Sequence, residues 1–308
     1  MGRKVIGIGE TVFDIIFKSD KPVNAVPGGS TFNAMVSLGR CGIEATFLSE
    51  TGADHVGDIV CSYLEANGVS AADVERQGRS HLSLAFLNRD NDAEYSFYKD
   101  HPNDKASMRL PEIHRDDILL LGSFYSINPM IRHKVKAILD AAKEAGAIIY
   151  YDINFRASHK NEVAHVLPSI EENFSYADII RGSNEDFETA YGLADFESIK
   201  SMPCLKDKTL IYTCGACPTL LRTKEGRNLS FKVDPIDTVS TIGAGDNFNA
   251  GIVYSLLKGN VLLKDIRNGL DDSLWQYIIT TGQSFSADCC RSLDNSISPV
   301  FAESLGKL

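Results

Sequence analysis

The amino-acid sequence predicts an α/β fold, built from βαβ units around a mainly parallel sheet, with a small second β-sheet standing off it. Three observations carry that expectation: short apolar runs recur along the chain, the segments between them read as helices, and two stretches break the rhythm. Alternation of strand and helix implies parallel strands joined by crossover helices, and it places ligands at the carboxyl ends of those strands.

The expected main-sheet strands are residues 5–9, 117–121, 147–152, 177–181 and 209–213. The clearest covering helix is 133–146, where Val135, Ile138, Leu139 and Ala142 share one face and Gly146 supplies the stop. The rhythm breaks at 11–26 and at about 82–99, and in the second stretch 82–87, 88–92 and 95–98 read as strand, turn and strand. No internal repeat, low-complexity tract or long linker marks a second domain, so residues 1–308 are expected to form one domain. The segment 273–301 begins helical and ends irregular.

Length and composition fit this picture. A chain of 308 residues with 44% hydrophobic and 23% charged residues buries a large core without disulfides. No apolar run approaches the ~20 residues of a membrane span, and the first residues lack the pattern of a signal peptide, so a cytoplasmic protein is expected. The net charge of −10 argues against nonspecific nucleic-acid binding, which needs surplus Lys and Arg. Seven irregularly placed cysteines suit reduced thiols better than a disulfide framework. Cys214 and Cys217 have CxxC spacing, but no second ligand pair follows, and the expected role is buried and structural.

Three segments carry chemistry. Gly243-Ala244-Gly245-Asp246 opens an apolar helical pattern; the glycines let backbone N–H groups approach a ligand, and the helix start adds partial positive charge, which together make an anion hole. An acid in that first turn reads equally as a helix cap or as a general base for an alcohol. Gly28-Gly29 followed by Asn33 places bare backbone and a donor–acceptor amide where a polyol can lie, or else forms a tight turn with Asn on a helix face. Asp14 follows the first strand; an isolated acid there reads as a solvated loop charge.

Together these segments resemble the ribokinase-like (PfkB) carbohydrate kinase family, whose signatures are a GG-plus-Asn segment near the N-terminus and GAGD near the C-terminus. The resemblance runs from residue 5 to about 286, in the expected order. It implies a Rossmann-like three-layer αβα domain with a β-sheet lid at about 11–26 and 82–99, MgATP as phosphoryl donor, and a sugar held between lid and domain. On this resemblance Asp246 is the base, Gly243, Ala244 and Gly245 form the anion hole, and Asp14, Gly28, Gly29 and Asn33 hold sugar hydroxyls. Asp152-Ile153-Asn154-Phe155-Arg156 is similar to the DxNxR segment of fructokinases and ketodeoxygluconate kinases, which implies Asn154 at the substrate and Arg156 near the transferred phosphate. Glu94 to Lys99 resembles the lid strand of fructokinases. Thr213-Cys214-Gly215 is similar to a turn that lines the nucleotide site, and Asn184 opens the family's NxxE segment.

Departures accompany the matches. Ser240 stands where the family commonly has an Asp linked to monovalent-cation binding, which leaves a potassium requirement open. Phe187 takes the NxxE glutamate position, so the acid for Mg²⁺ must come from Glu185, Asp186 or Glu188, or from water alone; Glu185 is the expected ligand. Pro218 replaces a usual glycine, and the segment 281–286 lacks an alanine-rich adenine helix. No GxxxxGK[ST] segment is present, and Gly7-Ile8-Gly9 lacks the third glycine of GxGxxG. The expected activity is ATP-dependent phosphorylation of fructose, with ribose, 2-keto-3-deoxygluconate and a nucleoside as alternatives. A sensing protein that keeps the fold without turnover is the alternative of another class. The expected partners are a small-molecule sugar and ATP, with a homodimer formed through the lid and neither nucleic acid nor membrane.

Overall fold

A computed structural model describes residues 2–89, 91–98 and 108–306. Asp90, in the expected turn, and Lys99, at the end of the expected lid segment, lie outside the described residues. The chain divides into two compact units: Met1–Arg109, Ile236–Ser255 and Thr281–Leu308 form the first, and Leu110–Pro235 and Leu256–Thr280 form the second.

The first part of the chain holds β1 (Val5–Ile8), β2 (Val12–Lys18), β3 (Lys21–Gly28), α1 (Ser30–Arg40), β4 (Ala45–Thr51), α2 (His55–Ala66), β5 (Val69–Ser70), β6 (Val74–Arg76), β7 (Leu82–Leu87) and β8 (Ala93–Tyr98). Strand β1 runs parallel to β4, which pairs in parallel with β5 and with β6. The two stretches that broke the sequence rhythm form a separate four-stranded sheet in the order β3-β2-β7-β8. Its strands alternate between buried and accessible positions, as in β2 and β7. That is the signature of a sheet packed on one face. The packed face of Ile16, Val26, Ala85 and Leu87 forms a cluster with Ile242, just before the Gly-Ala-Gly turn.

The middle of the chain holds β9 (Ile118–Gly122), α3 (Ser123–Ile127), α4 (Arg132–Ala145), β10 (Ile148–Asp152), α5 (Val163–Tyr176), β11 (Ile179–Ser183), α6 (Asn184–Tyr191), α7 (Phe196–Lys200), β12 (Thr209–Thr213), β13 (Thr219–Arg222) and β14 (Asn228–Phe231). Here the strand order is β14-β13-β12-β11-β10-β9. Strands β9 to β12 are parallel, and β13 and β14 add antiparallel at one edge. Strands β9 and β10 are buried at every position, as expected of strands covered on both faces. The last part holds α8 (Ala244–Lys258), α9 (Leu263–Asn268), α10 (Asp272–Cys289) and α11 (Pro299–Ser304). The fold is mixed α/β, with a large, mainly parallel sheet and a small separate one.

Local chemistry explains the element ends. Helix α4 buries Val135, Ile138, Leu139 and Ala142, and Gly146 ends it in the left-handed conformation with φ 78°. Three strands start later than the apolar runs suggest, β9 and β10 by one residue and β11 by two, and the acids before β9 and β11 are engaged by backbone N–H groups. Asp117 accepts from His114 N at 2.8 Å, and Asp178 accepts from Ile149 N at 3.0 Å. Helix α6 opens with a capping box, in which Ser183 and Asp186 bond each other's backbone N–H.

Candidate active site

In the first unit, α1 and α8 bring two sequence-distant motifs together. Gly29 caps α1 at φ 126°, a conformation that favours glycine, and a Cβ there would collide with Glu10 O. At Gly28 a Cβ would collide with Asp14 Oδ2, so the pair must be bare backbone. One turn on, Asn33 N bonds Gly29 O at 2.9 Å, which sets the residue in the first turn of α1. Asn33 Nδ2 then donates to Asp246 Oδ2 at 2.8 Å across 213 residues of sequence. Both side chains are buried, Asn33 at 3% and Asp246 at 6% exposure.

The turn into α8 is held tightly. Gly243 has φ 78°, and a Cβ on it would stand 2.5 Å from Asn295 O. The Ala244 N–H bonds Thr241 O at 3.1 Å, and the first helical bond runs from Asn247 N to Gly243 O at 2.9 Å. Of the three anion-hole residues expected from the sequence, Ala244 therefore has its amide engaged in the turn. The Gly245 amide, second in the helix, precedes the first intrahelical bond and is the one suited to an anion. Asn247 locks the turn from the other side: Nδ2 donates to Gly243 O and Asn295 O at 2.8 and 2.9 Å, and Oδ1 accepts from Ser37 Oγ at 2.5 Å.

Asp14 corrects the reading of a solvated loop acid. It lies within β2 and is 3% exposed, because the segment after β1 enters the small sheet directly. Ser83 Oγ on β7 donates to its Oδ1, and Asn295 Nδ2 donates to its Oδ2 at 2.7 Å. Burial pushes the Asp14 pKa up to about 6; Ser83 and Asn295 pull it down, and the charges of Asp246 and Glu10 push it further up. Asp14, Asn33 and Asp246, expected from the sequence, thus form one cluster with Ser83 and Asn295, which were not. Ser83 left a faint signal as a small polar residue inside an apolar strand. Asn295 left none, since it lies in the irregular segment after α10.

In the second unit the expected residues follow strands of the parallel sheet. Asn154 is buried behind β10 with φ 36°, and Arg156 is exposed two residues on. Asn184 and Glu185 stand in the first turn of α6, where Glu185 is exposed. Asp186, one of the acids weighed for the metal, is committed elsewhere: it accepts from Phe155 N at 2.8 Å, Ser183 N at 2.7 Å and Ser183 Oγ at 2.8 Å. Arg181 on β11 was missed, though a lone arginine inside an apolar run signals a buried partner. It donates to Asp152 Oδ1 at 3.0 Å and to Thr213 Oγ1 at 2.7 Å, and lies 3.9 Å from Asp186. Burial opposes its charge, but Asp152 and Asp186 more than offset this and raise its pKa.

Thr213 and Gly215 start the connection from β12 to β13, with Gly215 at φ 53°. The buried role expected for Cys214 and Cys217 is overturned: Cys217 is exposed and Cys214 half-buried, because both sit in this turn, where Cys217 N bonds Cys214 O at 2.9 Å. All seven cysteines are free thiols. Among the described residues no three His, Cys, Asp or Glu side chains converge on a metal position, and no helix is long and apolar enough to cross a membrane.

The model of the pfkB family of carbohydrate kinases matches residues 3–270. Probable fructokinase-4 of Arabidopsis thaliana is 29% identical over 279 residues, which span 86% of this chain and 83% of that protein. Among solved structures, fructokinase from Vibrio cholerae O395 with fructose, ADP and calcium ion bound superposes with a TM-score of 0.80 at 18% identity, covering 98% of each chain. Aminoimidazole riboside kinase from Salmonella enterica, complexed with aminoimidazole riboside and an ATP analog, superposes with a TM-score of 0.79 at 21% identity, covering 98% of this chain and 99% of that one. At these identities the solved structures speak for the fold.

Proposed function

The chain belongs to the pfkB family of carbohydrate kinases, and from that premise we propose that it transfers the γ-phosphate of MgATP to a hydroxyl of fructose, with Asp246 as general base. The observation that carries this reading is the buried Asp246 carboxylate in the first turn of α8, aimed by Asn33 and set beside the Gly243–Gly245 backbone. A carboxylate so held accepts the hydroxyl proton as the oxygen attacks, and the Gly245 amide at a helix start meets the charge of the moving phosphoryl group. Asp14, Asn33 and the bare backbone of Gly28 and Gly29 bind and orient the sugar.

ATP supplies the phosphoryl group, and a divalent cation neutralises its charge. A helix start with a free amide suits a phosphate. Glu185, exposed in the first turn of α6, is the acid that would hold the cation. Asn184, Thr213 and Gly215 are assigned to the nucleotide, Asn154 to the substrate and Arg156 to the transferred phosphate. Ser240 is neutral and its Oγ accepts from Ile242 N at 3.1 Å, which disfavours a strong potassium site there. The proposed compartment is the cytoplasm.

Fructose is favoured by the fructokinase name of the Arabidopsis relative. A riboside is the second reading, since a riboside kinase shares the fold. A coupled ADP assay over fructose, ribose, 2-keto-3-deoxygluconate and adenosine decides between them; turnover of adenosine or ribose with none of fructose overturns fructose. Asp246→Asn separates an enzyme from a sensing protein: an active wild type with a dead variant supports the kinase, and a wild type inert towards every acceptor supports the sensor.

A further inference from the structure

Two buried amides in the first unit share one arrangement. Asn33 gives its Nδ2 to Asp246 at 2.8 Å, and Asn295 gives its Nδ2 to Asp14 at 2.7 Å. An ionised carboxylate only accepts hydrogen bonds, so chemistry sets both amide orientations: each nitrogen faces its acid and each oxygen turns away. Both oxygens, Asn33 Oδ1 and Asn295 Oδ1, are buried and have no hydrogen-bond partner among the described residues. Leaving a buried acceptor unpaired is costly, and a folded protein tolerates it where a ligand supplies the donor.

Asn295 also occupies a particular place in the fold. Its backbone oxygen accepts from Asn247 Nδ2 and lies where Gly243 has no Cβ, so its main chain braces the turn into α8. Its side chain meanwhile reaches Asp14 on β2. The residue is 1% exposed, so its position is set by packing and by these bonds.

We propose that Asn295 is a sugar-binding residue that sets acceptor specificity, with Oδ1 accepting one sugar hydroxyl while Nδ2 holds Asp14 in place. This rests on the sugar-kinase reading and goes beyond the roles assigned to Asp14 and Asn33. The two unpaired amide oxygens are acceptors, as are the remaining lone pairs of Asp14. Such a set is met by the O–H donors of a neutral polyol. A phosphorylated or carboxylated group at this end of the acceptor brings mainly acceptors and extra negative charge beside Asp14, and is rejected.

A cycle of sugar analogues and variants tests this directly. The acceptor is whichever of fructose, ribose, 2-keto-3-deoxygluconate and adenosine the wild type turns over fastest, together with its monodeoxy analogues. In the wild type, one deoxy analogue loses at least tenfold in kcat/KM. Asn295→Ala raises KM for the parent sugar at least tenfold with a smaller change in kcat and in KM for ATP, and it becomes indifferent to that one missing hydroxyl. Asn295→Asp has the same shape as the native residue and serves should the alanine variant not fold; by setting a second carboxylate against Asp14 it raises the sugar KM at least as far. Folded variants that keep the wild-type sugar KM within twofold, or that lose the same factor as the wild type for every deoxy analogue, overturn the proposal. A wild type inert towards all four acceptors overturns the kinase reading itself, and the inference with it.

Discussion

The two buried polar clusters of this protein meet their charges in opposite ways. In the second unit Arg181 lies against Asp152 and Asp186, and Asp186 also takes three hydrogen bonds that cap α6 and hold Phe155. Cation stands against anion, and the cluster ties β10, β11 and β12 together. In the first unit the acids Asp14 and Asp246 repel one another and are met by neutral donors, Asn33, Asn295 and Ser83. Two amide oxygens there stay unpaired. The first cluster sets a cation against two anions and serves architecture, leaving a donor, Arg181 Nε, without a partner among the described residues; the second keeps acceptors in reserve, as a ligand site does.

This contrast can be broken by experiment, beginning with the largest effect. Asp246→Asn should lower kcat for sugar phosphorylation by about 10²–10⁴-fold, the usual scale for loss of a general base. Its melting temperature should stay near that of the wild type, since the amide can still accept from Asn33; an undiminished kcat would remove Asp246 from the chemistry. Arg181→Met should lose about 3–5 kcal/mol of stability in denaturant titrations, because it strands Asp152 and Asp186 in the interior. A loss below about 1 kcal/mol would mean that the cluster is not the architectural element described here. Gly243→Ala combines a left-handed φ with a 2.5 Å approach to Asn295 O. It should cost about 1–3 kcal/mol and lower kcat as well, measured by the same titrations and by the coupled assay.

Asp14→Asn should do the reverse of Arg181→Met. The folded protein holds the Asp14 proton up to about pH 6, whereas the unfolded chain releases it near 3.8. Stability from this group is therefore fully present below about pH 3.8, falls as pH rises towards 6, and stays at its lower level above that. The asparagine variant, which can still pair with Ser83 and Asn295, should be more stable than the wild type at pH 7 and lose that advantage by pH 4, while its sugar KM rises. A stability difference unchanged between pH 4 and pH 7 would contradict the assignment. The smallest effect is expected from Cys217→Ser, at the exposed turn: within about 0.5 kcal/mol in stability and no change in turnover.

Much of the fold was legible because it is local. The 3.6-residue spacing of Val135, Ile138, Leu139 and Ala142 predicts α4, and Gly146 predicts its end. Strand alternation in 82–87 anticipates β7. The start of β9 shifted by a residue where Asp117 was captured by a turn, since a carboxylate's choice of donor depends on neighbours the pattern does not show. The Cys214–Cys217 spacing misled for a related reason: CxxC fits a tight turn as well as a buried pair, and only exposure distinguishes them. Arg181 could have been flagged as a buried charge, but not its partners. Asn295 carried no local signal at all.

From the sequence alone came the fold class, the two glycine motifs and the candidate acid Asp246, because backbone freedom, helix starts and apolar periodicity are properties of neighbouring residues. Tertiary structure decided which side chains meet. It buried Asp14 within the 11–26 stretch expected to form lid strands, joined Asn33 to Asp246 across 213 positions, and brought Asn295 to Asp14 across 281. Hydrogen bonds between distant segments depend on how the chain packs, and burial is what turns an ordinary acid and an ordinary amide into a site.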